Sequence, residues 1–191
     1  MREEEIARAI SLILSPNMYS LVICTIYWCL KDFEGGLYAW FMLSFSISLL
    51  PFLFIYYDTR RGKIDIFVSK REERTKYFIL TLSSYILGFL MLNIFGITVY
   101  NILLLTYFLV GITLFIQNTR YKVSVHAAGI GGPTTMLVLE FDSYFWLLYL
   151  TLLPVMWSRL KMKAHSLTQL VSGTITSIAI TFIVLLFIKK P

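Results

Sequence analysis

The stretch TVYNILLLTYFLVGITLFIQ, residues 98–117, runs for 20 positions without a charged side chain, and NTRYK, residues 118–122, follows it with two bases. About 20 mostly apolar residues, rising 1.5 Å each as a helix, cross the hydrocarbon core of a bilayer. The run is therefore the length of one crossing, and the bases mark where it leaves the membrane. Outward from it, comparable runs cover 17–30, 37–57, 77–95 and 166–188. Two weaker ones lie at 124–140, diluted by Gly129, Gly131, Gly132 and Pro133, and at 143–158, which is aromatic and ends at Ser158-Arg159. Glycine and proline at membrane depth are tolerated only where the backbone is packed in protein or lines a cavity.

With 58% hydrophobic and 15% charged residues in 191, these runs predict an all-α integral membrane protein. The expected architecture is a compact bundle of six to seven transmembrane helices, counted here as seven, forming a single membrane-embedded domain over 1–191. Residues 3–14 carry Glu and Arg on one side and Ile and Leu on the other, which predicts a short N-terminal interfacial helix ending before Pro16. The opening MREEEIARAISLILSP lacks a basic n-region and a small-residue cleavage site, so no removable signal peptide is expected. Cys24 and Cys29 share one apolar run and face different sides of any helix there, which predicts two buried free thiols.

Lysine and arginine beside membrane spans favour the cytoplasm. DTRRGKIDIFVSKREERTK (58–76) holds seven of the chain's 17, NTRYK two, and SRLKMK (158–163) three. Seven spans bring all three segments to one face. The other face shows KDFEGG and the turn around Glu140 and Asp142, with Lys31 and the Lys189-Lys190 tail as its bases. The basic face is expected to be the cytoplasmic face of the cell membrane.

The basic segments also carry groups suited to a phosphate ester. The chain's two histidines, His126 and His165, begin the fifth and seventh spans on that same face, where unpaired N–H groups and the helix dipole favour an anion. Ser124 precedes the first and Arg159 the second. Two imidazoles beside arginines suit covalent phosphoryl transfer: one attacks phosphorus, the other protonates the leaving oxygen, and guanidinium groups stabilise the equatorial oxygens.

These residues resemble the type 2 phosphatidic acid phosphatases, membrane enzymes that share their histidine chemistry with vanadium haloperoxidases. The family's third motif, Ser-Arg, five residues, His, three residues, Asp, is matched by SRLKMKAHSLTQ at Ser158, Arg159 and His165, with Gln169 where the aspartate usually stands. The second motif, Pro-Ser-Gly-His, is represented by VSVH, which keeps Ser124 and His126. The first, a lysine and seven positions later Arg-Pro, is not kept: Phe67 lies seven before Arg74 and Thr75 follows it. In its place stands DIFVSKREERTKYF, in which Arg71 and Arg74, three apart, are expected to share one face of a helix entering the third span, with Arg71 or Lys70 in the role of the missing lysine. The resemblance runs from 65 to 169, in the family's order and sidedness.

The resemblance implies His165 as nucleophile, His126 as general acid and then base, and Gln169 as the group orienting His165. It implies a phosphate bound by Lys70, Arg71, Arg74, Ser124 and Arg159. Each residue also has a structural role open to it. Ser124 suits a cap of the fifth helix, Ser166 with Gln169 a capping box, Lys161 and Lys163 a positive-inside flank, and the segment around Glu72 and Glu73 a self-paired loop. No cofactor or metal is expected, since the motif segments lack the aspartate cluster that a phosphate-bound Mg²⁺ requires. The substrate expected is a lipid phosphate or diphosphate in the bilayer, an isoprenoid diphosphate being favoured because short loops leave little protein to recognise a glycerol headgroup. No nucleic-acid partner is expected. The competing expectation is a non-catalytic transporter or lipid-binding scaffold whose basic face binds anionic headgroups.

Overall fold

The computed structural model describes residues 2–188, so the Lys189-Lys190 pair lies outside the described residues. Among these, all regular structure is helical. In chain order come α1 (Glu3–Ile13), α2 (Pro16–Leu30) and α3 (Gly36–Ser44), which passes through a π-helical turn (Phe45–Leu49) into α4 (Leu50–Arg60). Then follow α5 (Arg74–Ile94), α6 (Asn101–Arg120) and α7 (Val125–Glu140), a 3-10 segment (Ser143–Thr151) continuing as α8 (Leu152–Lys161), and α9 (Leu167–Ile188).

Among the described residues, four helices are long and apolar enough to cross a membrane: Gly36–Arg60, Arg74–Ile94, Asn101–Arg120 and Leu167–Ile188. A fifth span results if α1 and α2, bent by 40° at their break, are taken together. That is fewer than the six to seven expected. The shortfall lies in α2, at 15 residues, α7, at 16, and the pairing of a nine-residue 3-10 segment with the ten residues of α8. These elements match the apolar runs within three positions, and local signals set their ends. Pro16 starts α2, and the Asp142 side chain accepts the Tyr144 N–H and opens a new segment after α7.

The chain divides into two compact units, one made of the residues up to Tyr19 with those from Val123 onward, the other of Ser20–Lys122. In the second unit, α5 and α6 form a hairpin whose far end is tied by reciprocal amide bonds between Asn93 and Asn101, at 2.8 and 3.0 Å. Tyr85 packs on Tyr107 and Phe78 on Phe115 along the seam. The π-turn has a local cause. The Leu50 N–H reaches back five residues to the Phe45 carbonyl, and Pro51 has no N–H to offer Ser46 in the same way. Ser84 of α5 supplies that donor, its Oγ lying 2.8 Å from the Ser46 carbonyl. Cys24 is buried as expected, but Cys29 is exposed; both are free.

In the first unit α7 is the centre, buried almost continuously from His126 to Leu137. It runs parallel to α9, and small residues line the seam: Gly131 and Gly132 meet Ser177 and Thr181, and Gly173 meets the backbone of Ser124. In lipid there is no hydrophobic drive to pair two apolar helices, so close van der Waals approach through Gly, Ser and Thr supplies it. α1 lies against α8, where Glu3 forms an ion pair with Lys161.

Candidate functional site

The spacing Ser158-Arg159-x5-His165 is the length of one helix ending and the next beginning. α8 closes with Lys163 in the left-handed region (φ 52°). The Ala164 N–H donates to the Arg159 carbonyl at 3.0 Å and the Lys163 N–H to that of Leu160 at 2.9 Å. This pair of bonds is a Schellman turn, which satisfies the last carbonyls of α8 and reverses the chain. His165 comes next, directly before the serine that caps α9.

That cap fixes the imidazole. The Gln169 N–H donates to Ser166 Oγ at 3.3 Å, and the Ser166 N–H donates to Gln169 Oε1 at 3.2 Å, a reciprocal capping box. The same Oε1 lies 2.9 Å from His165 Nδ1. A backbone N–H only donates, so the amide atom facing Ser166 is the oxygen, and an oxygen only accepts. The proton of the neutral imidazole therefore sits on Nδ1, and the lone pair is at Nε2. Gln169 thus closes the capping box and meets His165 Nδ1 with the same oxygen. His165 is 6% exposed.

Ser124 precedes α7 and caps it, its Oγ accepting the Ala127 N–H at 3.3 Å. Its own N–H donates to the Gln169 carbonyl at 3.2 Å. A Cβ at residue 173 would collide with the Ser124 carbonyl, so glycine is required for this approach. The start of α7, with His126 in its first turn, is thus joined to the start of α9. His126 is buried, and both helix N-termini open at the same end of the unit. Arg159 is 1% exposed, and its Nη1 donates to Ser11 Oγ of α1 at 2.8 Å. Lys161, expected as a positive flank, holds Glu3.

Lys70, Arg71 and Arg74 belong to the second unit. Arg71 and Arg74 do not share a helix face, because α5 begins only at Arg74 and residues 71–73 form a turn. Asp65 causes this: its carboxylate accepts the N–H groups of Phe67 and Ser69, at 2.9 and 2.8 Å, and winds the chain before the helix begins. Arg71 turns to the Thr119 carbonyl at 3.3 Å and to Glu72 at 3.5 Å, while Lys70 pairs with Glu73 at 3.3 Å. These are the self-paired contacts of a solvated loop. Arg74 is buried, and its Nε donates to the Val68 carbonyl at 2.9 Å.

Two features escaped the sequence. Ser11 lies 148 positions from Arg159, and nothing local marks it. Asp58 is 4% exposed and gathers Lys63, Lys76 and Tyr77. A lone carboxylate ending an apolar run was the signal available. Among the described residues, no group of three or more His, Cys, Asp or Glu is arranged to hold a metal ion. No protein-family model, curated protein or solved structure matches the chain.

Proposed function

We propose that this chain is a divergent relative of the type 2 phosphatidic acid phosphatases, removing phosphate from a membrane lipid phosphate or diphosphate through a phosphohistidine and without a metal. An isoprenoid diphosphate is the favoured substrate. The observation that carries this reading is the hydrogen bond from His165 Nδ1 to Gln169 Oε1, which puts the ring's proton on Nδ1, in a histidine two residues before α9.

In this mechanism Nε2 of His165 attacks phosphorus, the bond from phosphorus to the lipid-side oxygen breaks, and His126 gives that oxygen a proton. Neutral His126 then takes a proton from water, whose oxygen attacks the phosphohistidine. The phosphorus–nitrogen bond breaks, inorganic phosphate leaves, and the electron pair returns to Nε2. Arg159 and the N–H groups opening α7 and α9 stabilise the charge on phosphorus-bound oxygens. Ser124 joins them in the phosphate-binding set that the resemblance implies.

The reading includes seven crossings, with α7 and the 3-10 segment with α8 as short ones sheltered by protein, and a cytoplasmic site. Purified protein in detergent with EDTA is expected to release inorganic phosphate from at least one of phosphatidic acid, phosphatidylglycerol phosphate and a polyprenyl diphosphate. Release from none overturns the proposal. For sidedness, Lys63→Cys in a Cys29→Ser background is expected to resist an impermeant thiol reagent in intact cells, and its labelling there would reverse the orientation.

A further inference from the structure

The second unit contains a pocket of about 490 Å³ between the end of α4 and the start of α5. We propose that it holds an anionic phospholipid of the surrounding membrane, headgroup phosphate at the Arg60 and Lys63 end and acyl chain along Leu53 and Leu80. The proposal shares no residue with the phosphatase reading and stands without it.

Its lining is graded along the helices. On α4, Leu53, Tyr56 and Arg60 lie at helical spacing, so that one face passes from apolar through amphipathic to cationic over about 10 Å. On antiparallel α5, Leu80 and Lys76 repeat the order, and Lys63 stands at the mouth. An amphiphile has this same gradient. Tyrosine is the residue type that settles at the headgroup level.

The polar end is built around Asp58. Its buried carboxylate accepts the Tyr77 hydroxyl at 2.8 Å, pairs with Lys76, and lies 3.6 Å from Lys63. One carboxylate does not satisfy three cations. Each ammonium has three donors and Arg60, over the Tyr56 ring, has five, so Asp58 tethers the lysines and leaves donors to spare. Lys63 and Lys76 remain more than half exposed. A ligand that meets this end is an anion with several acceptor oxygens, and the apolar end of the groove at Leu53 and Leu80 calls for an acyl chain, as in a phospholipid.

The test is native mass spectrometry of the full chain in detergent, with dioleoyl phosphatidylglycerol and dioleoyl phosphatidylcholine offered separately, so that only the headgroup differs. Phosphatidylglycerol is expected to be retained about tenfold more than phosphatidylcholine. Arg60→Gln with Lys63→Gln should remove that preference and leave phosphatidylcholine retention unchanged, and Arg60→Gln alone should remove part of it. Both side chains are exposed, so the fold is expected to persist, as an unchanged melting temperature would show. The matched charge change Lys122→Gln with Lys163→Gln, outside the pocket, should have no effect. Equal retention of the two lipids, an equal loss in the control variant, or displacement of phosphatidylglycerol by an equal concentration of inorganic phosphate would each overturn the proposal. The last result would mean a site for a free anion.

Discussion

The seam between α5 and α6 and the seam between α7 and α9 are both helix pairs in an apolar protein, yet they are built from different materials. α5 and α6 meet through large rings and turn Ile79, Ile86, Phe89, Leu90 and Ile116 outward, as lipid-facing spans do. α7 and α9 meet through Gly131, Gly132, Gly173, Ser177 and Thr181. A seam of large side chains yields by changing rotamers. A seam of small residues brings backbones together and has no flexible atoms to move. The two histidines stand at the start of the second kind of seam, where helix positions are held most tightly.

The largest effect is expected at that start. His165→Ala and His126→Ala should each abolish phosphate release while the protein remains extractable and folded; near wild-type turnover in either variant breaks the assignment. Next comes the seam itself. Gly173→Ala drives a methyl group into the Ser124 carbonyl and should cost about 1–3 kcal/mol. Gly111→Ala in α6 meets the flexible end of Leu82 at 3.1 Å and the Tyr85 ring at an ordinary 3.6 Å, and should range from neutral to about 1 kcal/mol stabilising through helix propensity. Equal shifts in melting temperature for the two would erase the contrast between the seams.

A smaller effect is expected at Gln169. An aspartate would stabilise the imidazolium by charge, whereas an amide oxygen only orients the ring. Gln169→Ala should lower turnover by one to two decades, about 1.4–3 kcal/mol at 1.36 kcal/mol per decade. Loss of the cap adds about 1 kcal/mol or less of destabilisation. Gln169→Asp should keep more activity than the alanine variant. Lowered stability with unchanged turnover in Gln169→Ala would leave Gln169 as a cap alone.

The smallest effect sharpens the same contrast from the solvated side. The Glu72 carboxyl is held below its ordinary value of 4.5 by its own backbone N–H, and then by Arg71 and Lys122. A depressed carboxylate contributes above its unfolded value and loses that contribution as pH falls through the folded one. Melting temperatures of wild type and Glu72→Gln should therefore differ slightly at neutral pH and converge as the pH drops below about 4.5. A gap that widens in acid would refute that pairing.

Composition found the helices whose outer faces meet lipid. Runs of apolar residues located α5, α6, α9 and the Gly36–Arg60 helix to within a few positions, because length and hydropathy are what define a crossing. They also placed α2, α7 and the segment around α8 within three positions, but these elements, where Pro16 and Asp142 set the ends, are too short to count as crossings. The spacing from Ser158 to Gln169 was legible because every bond in it is local: a Schellman turn and a capping box. The spacing of Arg71 and Arg74 misled, since three residues apart implies one face only if a helix has already begun, and the Asp65 turn delays it. Ser11 was invisible because its contact is made by the fold alone.

The π-turn at Phe45–Leu49 amounts to one residue more than an α-helix of the same rise would use. Each residue advances a helix by about 100°, so the surplus rotates everything after it by that angle relative to everything before. Leu53, Tyr56 and Arg60 owe their compass bearing to a widening one to three turns upstream. Deleting a single residue between 45 and 49 would leave the helix apolar, continuous and able to cross a bilayer, and would swing that face about a quarter-turn away from Lys76.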